Sequence, residues 1–244
     1  MDLSGHTVLV TGGTSGIGLS LAERFLGAGS EVIVCGRRAA KLDDARAKLP
    51  KIHTRACDVS IATERQSLAD WVVREFPQLD VLVNNAGIQR RIDLAANEPW
   101  ETTHAEIAIN FEAQVHLCTL LLPLLGKRKQ SAIINVTSGL AFVPLTAAPV
   151  YSATKAAFHS FTLSLRDQLK KTPIEVIEII PPAVNTDLGG PGLHTFGTPL
   201  DEFIDAVVVQ LQQGSSEITH GFSAQATQAS PKQRDEMFAR MNEP

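Results

Sequence analysis

The chain has 244 residues, of which 44% are hydrophobic and 20% are charged, and its formal net charge is −4. A chain of this length can bury a large core as one domain without the help of a structural metal. The slight negative charge excludes the basic footprint that is typical of proteins that bind nucleic acids.

The cysteines and the apolar runs predict a cytoplasmic protein. Cys35, Cys57 and Cys118 are an odd number of thiols without CxxC spacing, which is typical of a reducing compartment. No basic and then apolar leader precedes the first predicted strand, which argues against secretion. The longest apolar run, Leu117–Leu125, is far shorter than the about 20 residues of a membrane span. The seven histidines form no i, i+4 pair, so no metal site is expected.

Short runs rich in β-branched residues alternate with helical patterns along the chain. The runs are His6–Val10, Glu31–Cys35, Lys51–Ala56, Val81–Val83, Ser131–Val136, Glu175–Ile180 and Glu217–Phe222. Such alternation indicates βαβ units. The sequence therefore predicts an α/β fold, a Rossmann-type doubly wound parallel sheet of about seven strands with helices on both faces. We expect one domain over residues 1–244.

The first predicted strand leads into the segment TGGTSGIG, which the amphipathic run Leu19–Leu26 follows. Gly12, Gly16 and Gly18 let the backbone turn tightly and approach a pyrophosphate at a helix N-terminus, where free N–H groups favour anions. Glycine-rich loops without a ligand are common. Between a strand and a helix in the first βα unit, however, this pattern predicts a dinucleotide site.

The second predicted strand ends in Gly36-Arg37-Arg38. NAD enzymes generally carry an acidic residue near this point to bind ribose hydroxyls, whereas an arginine accommodates a 2′-phosphate. The acid is missing here, so we expect NADP(H) to be preferred over NAD(H). The alternative is that both arginines are solvated surface charges.

Tyr151 and Lys155 stand four apart in YSATK, which places both on one face of a helix. A phenol with a pKa of about 10 is a poor acid or base at neutral pH, and a neighbouring ammonium lowers that pKa. Ser138 supplies a hydroxyl that can orient the reacting oxygen. The same spacing also occurs by chance in many helices, so the accompanying motifs decide its meaning.

Residues 181–199 contain four glycines and four prolines and show no strand or helix pattern. A loop of this length in a compact domain is usually functional, so we predict a lid over the substrate or cofactor. His194 lies within the lid and is the histidine best placed to touch a substrate. Leu140 and Phe142, which follow Ser138, are candidates for an apolar pocket wall or for the core.

Four motifs in this order resemble the short-chain dehydrogenase/reductase family over nearly the whole chain. TGGTSGIG resembles its TGxxxGxG, residues 84–87 match its NNAG, and Asn110, Ser138, Tyr151 and Lys155 match its Asn-Ser-Tyr-Lys tetrad. The resemblance implies that Tyr151 is the general acid/base, that Lys155 lowers its pKa and binds the nicotinamide ribose, that Ser138 polarises the carbonyl and that Asn110 anchors a proton-relay water. The stretches GTPLDEFIDAVV and EITHGF most resemble a branch that includes an oxidoreductase of a D-alanylation locus.

The resemblance also implies the binding residues. Those for the cofactor are Gly12, Thr14, Ser15, Gly16, Ile17, Gly18, Arg37, Asp58, Val59, Asn85, Ala86, Gly87, Tyr151, Lys155, Pro181, Val184 and Thr186. Those for the substrate are Gln89, Leu140, Phe142, Asn185 and His194. Pro182 departs from the family, which commonly has glycine after this proline. Proline fixes φ and lacks an N–H, so we expect a stiffer backbone there.

We therefore predict an enzyme that transfers hydride between NADP(H) and a small carbonyl or alcohol substrate. Two alternatives are a cofactor-sensing or scaffold protein that does no chemistry, and an epimerase on the same scaffold. The resemblance further implies a homodimer or homotetramer, paired through the helices that carry Asn110 and Tyr151. Apolar stripes in Glu106–Leu122 and Ser152–Leu169 fit that pairing, although such stripes more often face the core.

Overall fold

A computed structural model describes residues 1–96 and 99–243. Within these ranges the strands are β1 (Thr7–Thr11), β2 (Glu31–Gly36), β3 (His53–Ala56), β4 (Val81–Asn84), β5 (Ser131–Val136), β6 (Ile174–Ile180) and β7 (Glu217–Thr219). The helices are α1 (Gly16–Gly27), α2 (Ala39–Lys48), α3 (Ala62–Glu75), α4 (Trp100–Ile107), α5 (Ala113–Leu125), α6 (Pro149–Leu169), α7 (Leu200–Gln212), α8 (Phe222–Gln228) and α9 (Pro231–Met241). A π-helical segment, Ala108–Glu112, joins α4 to α5.

The strands form one sheet in the order β3-β2-β1-β4-β5-β6-β7, and every pair of neighbours is parallel. The predicted doubly wound α/β fold is thus confirmed. The strand order reverses between β1 and β4, and in open sheets of this kind ligands bind beyond the carboxyl ends of the strands at that point. The loops after β1, β4 and β5 are therefore where the site should lie.

Two apolar cores cover the two faces of the sheet. One joins alternate residues of the central strands, such as Val8 and Val10, to α1, α2 and α7 through side chains such as Phe25 and Phe203. The other joins the opposite alternate residues, such as Leu9, to α3, α5 and α6. Because strands buried on both faces are mostly apolar, β4 is apolar until its last residue, Asn84.

Two strand ends differ by more than one residue from the sequence-based prediction. β3 begins at His53 rather than Lys51, because the backbone N–H of Ile52 donates to the carbonyl of Leu49 in a turn. β7 ends at Thr219 rather than Phe222. Gly221 has a φ of 54°, which favours glycine and redirects the chain, and Phe222 then begins α8.

The continuous helix Trp100–Leu125 is long and apolar enough to cross a membrane, with a mean hydropathy of 1.4 over its most apolar window. Half of that window is buried within the fold. Leu117, Leu121 and Leu125 are fully buried in the core that this helix forms with the sheet. Packing against the sheet accounts for the apolar character of this helix.

Candidate active site

The turn after β1 is tied to the loop after β4 by side-chain hydrogen bonds. The hydroxyl of Thr11 donates to the carbonyl of Val83 and accepts from the N–H groups of Asn85 and Ala86, both at 3.0 Å. The amide of Asn85 donates to the carbonyl of Thr11 at 2.9 Å. The TGGTSGIG and NNAG segments, which are far apart in sequence, therefore form one rigid floor at the switch point.

Glycines let the two segments of this floor pack closely against each other. Gly12 has a φ of 64°, and a β-carbon there would lie 2.8 Å from the Cα of Ala86. A β-carbon at Gly18 would collide with the side-chain amide of Asn85 and lie 2.8 Å from the carbonyl oxygen of Gly12. Gly16, at the N-terminus of α1, lies against Thr186 at the start of the lid. This cradle fits the pyrophosphate of a dinucleotide.

The end of β2 lies beside the same cradle. A β-carbon on Gly36 would lie 3.0 Å from Cγ2 of Thr14, so the position has no room for a larger side chain unless Thr14 shifts. Arg37 and Ser15 are both exposed, and Ser15 is the N-cap of α1 without using its hydroxyl as a cap. In the described ranges, Arg37 forms no ion pair with a carboxylate, and its guanidinium is therefore available to an anion.

The residues after β3 complete the adenine side of the predicted cradle. Asp58 accepts hydrogen bonds from the N–H and hydroxyl of Ser60 at 3.0 and 2.7 Å. Val59 is buried, and its carbonyl accepts from the guanidinium of Arg65 at 2.7 Å. The loop is thus held rigidly next to the end of β2, with which Cys57 shares a backbone hydrogen bond to Gly36.

Tyr151 and Lys155 lie one turn apart on α6, and both are buried. The Lys155 ammonium lies 5.6 Å from the centre of the Tyr151 ring and donates to the carbonyl of Val136 at 2.8 Å. Burial raises the pKa of Tyr151 above its usual value, and a hydrogen bond with Ser138 opposes that rise. In the polypeptide itself, burial therefore makes the phenol less acidic, in contrast to the more acidic phenol that we expected beside Lys155.

Ser138 lies immediately beyond β5, as the N-cap of a 3-10 turn, Gly139–Ala141. Its Oγ accepts from the N–H of Leu140 at 3.1 Å, which fixes the hydroxyl next to Tyr151. The N–H of Gly139 donates to the carbonyl of Pro181 at 2.8 Å, so the serine turn is joined to the start of the lid. Phe222 of α8 packs on Gly139 from the other side.

Asn110 lies in the π-helical segment, a feature that often marks functional sites and that the sequence did not reveal. Its amide oxygen accepts from the N–H of Ile88 and its amide nitrogen donates to the carbonyl of Ile88, both at 2.8 Å. The nitrogen also lies 3.3 Å from the hydroxyl of Thr154 on α6. Asn110 thus clamps the loop after NNAG against the helix that carries Tyr151.

Glu106 is a buried carboxyl near this site that the sequence reasoning missed. Its Oε1 accepts from the N–H of Arg90 at 3.0 Å, and its Oε2 is buried without a hydrogen-bond partner in the described chain. Burial raises the pKa of Glu106 to about 7, while the hydrogen bond from Arg90 opposes that rise. Its negative charge also raises the pKa of Tyr151.

This carboxyl makes a testable contribution to stability. Between its ordinary pKa of 4.5 and about 7, the folded protein holds the proton on Glu106 and the unfolded chain does not. The free energy of unfolding of the wild type should therefore fall relative to Glu106→Gln, by on the order of 2 kcal/mol, as the pH rises from about 5 to about 8. Urea unfolding at both pH values measures the difference.

The control is Glu101→Gln, which changes an exposed glutamate on the same helix. It should leave the difference between the two pH values unchanged. Equal pH dependence in wild type and Glu106→Gln would show that Glu106 is ionised in the folded protein throughout this range.

The predicted lid is an irregular loop closed at its base. Val184 and Thr198 form a parallel bridge, and the N–H of Asn185 donates to the carbonyl of Thr198 at 2.9 Å. Gly189 lies over Gln89, since a β-carbon there would be 3.1 Å from the Gln89 carbonyl. His194 remains within the lid, with its ring 6.1 Å from that of Phe196. The structure thus brings Gln89 and the lid together.

The other substrate candidates lie near Ser138. Leu140 is half-buried in the 3-10 turn. The ring of Phe142 packs 4.6 Å from His159 and lies beneath the guanidinium of Arg234 at 5.3 Å. Phe142 is therefore largely taken up by contacts with α6 and α9. Among the described residues, no group of three or more His, Cys, Asp or Glu side chains could hold a metal ion.

Comparison with known proteins agrees with this geometry. The family described as short chain dehydrogenase matches residues 6–193. The chain is 46% identical over 248 residues to the Bacillus subtilis (strain 168) protein named uncharacterized oxidoreductase DltE, covering 99% of this chain and 98% of that protein.

Two solved structures share the fold. One is a short chain dehydrogenase from Burkholderia cenocepacia J2315 in complex with NADP, with a TM-score of 0.86, 26% identity and complete coverage of both chains. The other is a short chain dehydrogenase/reductase from Burkholderia phymatum in complex with NAD, with a TM-score of 0.82 and 19% identity, covering 100% of this chain and 98% of that one. Fold, motifs and sequence match agree: the chain belongs to the short-chain dehydrogenase/reductase family of oxidoreductases.

Proposed function

We propose that the protein transfers hydride between NADP(H) and a small carbonyl or alcohol substrate, with Tyr151 as the general acid/base. The observation that carries the proposal is the position of Gly87. A β-carbon on this residue of NNAG would lie 3.4 Å from Oδ1 of Asn110 and 3.8 Å from Nζ of Lys155. The nucleotide cradle and the tetrad therefore form one continuous site.

The cradle serves cofactor binding, and the tetrad serves proton transfer. Gly12, Gly16 and Gly18 would hold the pyrophosphate and Val184 and Thr186 the carboxamide of NADPH, which would supply the hydride when bound. Tyr151, kept neutral by burial, donates its phenolic proton to the substrate oxygen as negative charge develops there. The hydroxyl of Ser138 orients and polarises that same oxygen.

Lys155 and Asn110 support the proton transfer. The ammonium of Lys155 favours the phenolate that remains after Tyr151 has given up its proton. Asn110 holds the loop after NNAG against α6, which keeps Tyr151 at a fixed distance from the cradle. Oxidation of an alcohol requires the reverse proton transfer at the same oxygen, so the residues serve both directions.

The direct test is a screen for NADPH oxidation over ketones, aldehydes and quinones, with the Tyr151→Phe variant measured in parallel. Turnover that depends on Tyr151 supports the proposal. Binding of NADPH without turnover of any compound would favour a cofactor sensor or scaffold. The complete tetrad argues against that alternative, because a protein that does no chemistry has no reason to keep it. Inversion of a hydroxyl centre without net oxidation would identify an epimerase.

The preference for NADP(H) is part of the proposal. Exposed Arg37 and the crowded Gly36 position favour a 2′-phosphate over an acid that binds ribose hydroxyls. The NADP bound to the Burkholderia cenocepacia relative supports this choice. The NAD bound to the Burkholderia phymatum structure shows that the fold also accepts the other cofactor.

We further propose a homo-oligomer, a dimer or tetramer, formed through α4, α5 and α6. Of the predicted stripe residues, Ile109, Ala113 and Leu117 face the core, whereas Leu163 is exposed. An apolar groove runs along the outer face of α4, the π-helical segment and α6. It is lined by Leu94, Trp100, Thr103, Ile107, Phe111, Pro149, Val150, Ala153, Thr154 and Ala157.

The exposed fractions of Leu94 and Trp100, 71% and 64%, are large for apolar side chains that line one groove. Trp100→Glu would place a charge in this groove, so we expect the particle mass from light scattering to fall to the monomer value of 26.3 kDa. Val209→Glu is the control, because Val209 is an exposed apolar residue on α7. A fully active wild type of monomer mass would refute the interface.

We place the protein in the cytoplasm, with a small-molecule substrate and without nucleic-acid or membrane partners. Three free, buried cysteines support a reducing compartment. The net charge of −4 supports the absence of a nucleic-acid surface.

A further inference from the structure

The carboxylate of Glu178 is buried beside α6, the helix that carries Tyr151 and Lys155, and takes no part in the proposed hydride transfer. Glu178 is in β6, between β5 and the edge strand β7, and is fully buried. In the strand register Asn84 pairs with Asn135, and Asn135 pairs with Glu178. A row of polar residues thus crosses three neighbouring strands, β4, β5 and β6, on the side of the loops that carry the active site.

Two side chains hold the carboxylate. The hydroxyl of Thr137 donates to Oε1 at 2.7 Å. Nδ1 of His159 lies 3.0 Å from both Oε1 and Oε2, and it must be the donor because a carboxylate only accepts. His159 is on α6, one turn beyond Lys155, and its side chain is 21% exposed. The carboxylate is therefore fixed in position from β5 and α6 together.

Lys155 binds the backbone of Val136, the residue before Thr137. Its ammonium donates to the carbonyl of Val136, and Thr137, the next residue, donates to Glu178. Burial lowers the pKa of Lys155 to about 8, and the negative charge of Glu178 acts in the opposite direction. A lysine buried to this extent loses its charge readily when no carboxylate compensates it.

We propose that Glu178 is a positioning residue that acts on Lys155 through its charge, with Thr137 and His159 holding the carboxylate beside the strand end that binds the ammonium. The catalytic part of this inference rests on the proposed function. A buried carboxylate is costly for a fold and is retained most readily where its charge is used. Replacing Glu178 should therefore affect the charge of Lys155 before it affects the fold.

Other charged groups lie around Lys155, and the experiment must separate their effects from the effect of Glu178. On α6 itself, Tyr151 and His159 flank Lys155 on successive turns. From the α4 side, the charge of Glu106 acts on Tyr151. Arg234 of α9 lies on the ring of Phe142, which packs against His159. Within the described ranges, Glu178 is the one residue of the sheet whose negative charge acts on Lys155.

The test measures the charge of Lys155 directly, without substrate or cofactor. Protein carrying lysine labelled with carbon-13 at Cε is titrated by NMR, and the Lys155 signal is assigned by its loss in Lys155→Met. We expect a midpoint near 8 in the wild type and a midpoint about one pH unit lower in Glu178→Gln. In the same variant, the alkaline limb of the pH profile of kcat should move to lower pH.

The control is Glu202→Gln, which removes the carboxylate of another His–Glu pair, the surface contact of Glu202 with His220 at 3.2 Å. It should leave both midpoints unchanged, whereas Glu178→Asp should partly restore them. An unchanged Lys155 titration in Glu178→Gln would overturn the proposal. If that variant does not fold, Glu178→Met decides, because it removes the charge and keeps a similar side-chain length. An unshifted midpoint there overturns the proposal too.

The two proposals fail in different ways. A wild type that turns over no carbonyl or alcohol refutes the proposed function but leaves the NMR midpoints of Lys155 intact as a test of Glu178. A normal enzyme whose Lys155 titration ignores Glu178 refutes the positioning role alone.

Discussion

Replacing Tyr151 with phenylalanine should lower kcat by about 10²- to 10⁴-fold while NADPH affinity stays nearly unchanged. In the proposed mechanism the phenolic proton serves the chemical step, whereas the glycine cradle and Lys155 would hold the cofactor. Tyr151 is buried, so phenylalanine keeps the packing of its ring. Steady-state kinetics with the best substrate of the screen, and NADPH titration by fluorescence, measure the two quantities separately.

The matched control is Ser160→Ala, an exposed position two turns further along α6. It should leave kcat and affinity at wild-type values. Tyr151 is also the single tyrosine of the chain, so the ultraviolet absorbance of tyrosinate reports on this residue alone. Burial predicts ionisation above the usual range in the polypeptide. A Tyr151→Phe variant with undiminished kcat would remove this residue from the mechanism and favour the sensor alternative.

The sequence predicted the fold well because its signals are local. Strands buried on both faces are mostly apolar, and the runs around Val83 and Ile134 show this directly. The glycine-rich turn could also be predicted from the sequence, since a side chain at Gly12 or Gly18 would meet the loop after β4. A larger residue does not fit at these positions, so the spacing of the glycines is visible in the sequence alone.

The less predictable features depend on contacts between distant segments. The π-helical turn at Asn110 leaves no mark in the sequence, because its neighbours are ordinary helix formers. Glu106 reads as a helical surface residue until the loop at Arg90 covers it. Glu178 falls in the apolar run of β6 and becomes meaningful only when Thr137 and His159 close around it. Burial of a charge is a tertiary property.

The pKa of Tyr151 illustrates the same limit. Spacing showed that Lys155 lies one turn away, and the expected consequence was a more acidic phenol. The structure adds the burial of both groups, which raises the pKa of Tyr151 and lowers that of Lys155. Burial favours the neutral form of an ionisable group, whereas a neighbouring opposite charge favours its charged form. The sequence indicates only the neighbouring charge.

The wild type should bind NADPH more tightly than NADH, and Arg37→Ala should remove most of the difference. A hydrogen bond to a charged group is typically worth about 1.5–3 kcal/mol, which corresponds to roughly ten- to a hundredfold in affinity. Arg37 directly follows β2 at the edge of the cradle, and its exposed side chain can turn towards a 2′-phosphate. Fluorescence titration of the wild type and of Arg37→Ala with each cofactor measures the four dissociation constants.

Arg38→Ala is the matched control, since it removes the same charge from the adjacent position. The carbonyl of Arg38 caps α2 by accepting from Lys41 and Leu42, and alanine keeps that backbone role. We expect Arg38→Ala to leave most of the NADPH preference intact. High salt should narrow the wild-type difference, because an exposed guanidinium and a phosphate attract each other through screened charges. Equal wild-type affinities for NADPH and NADH would contradict the assignment, and a loss of preference in Arg38→Ala alone would transfer the phosphate contact to Arg38.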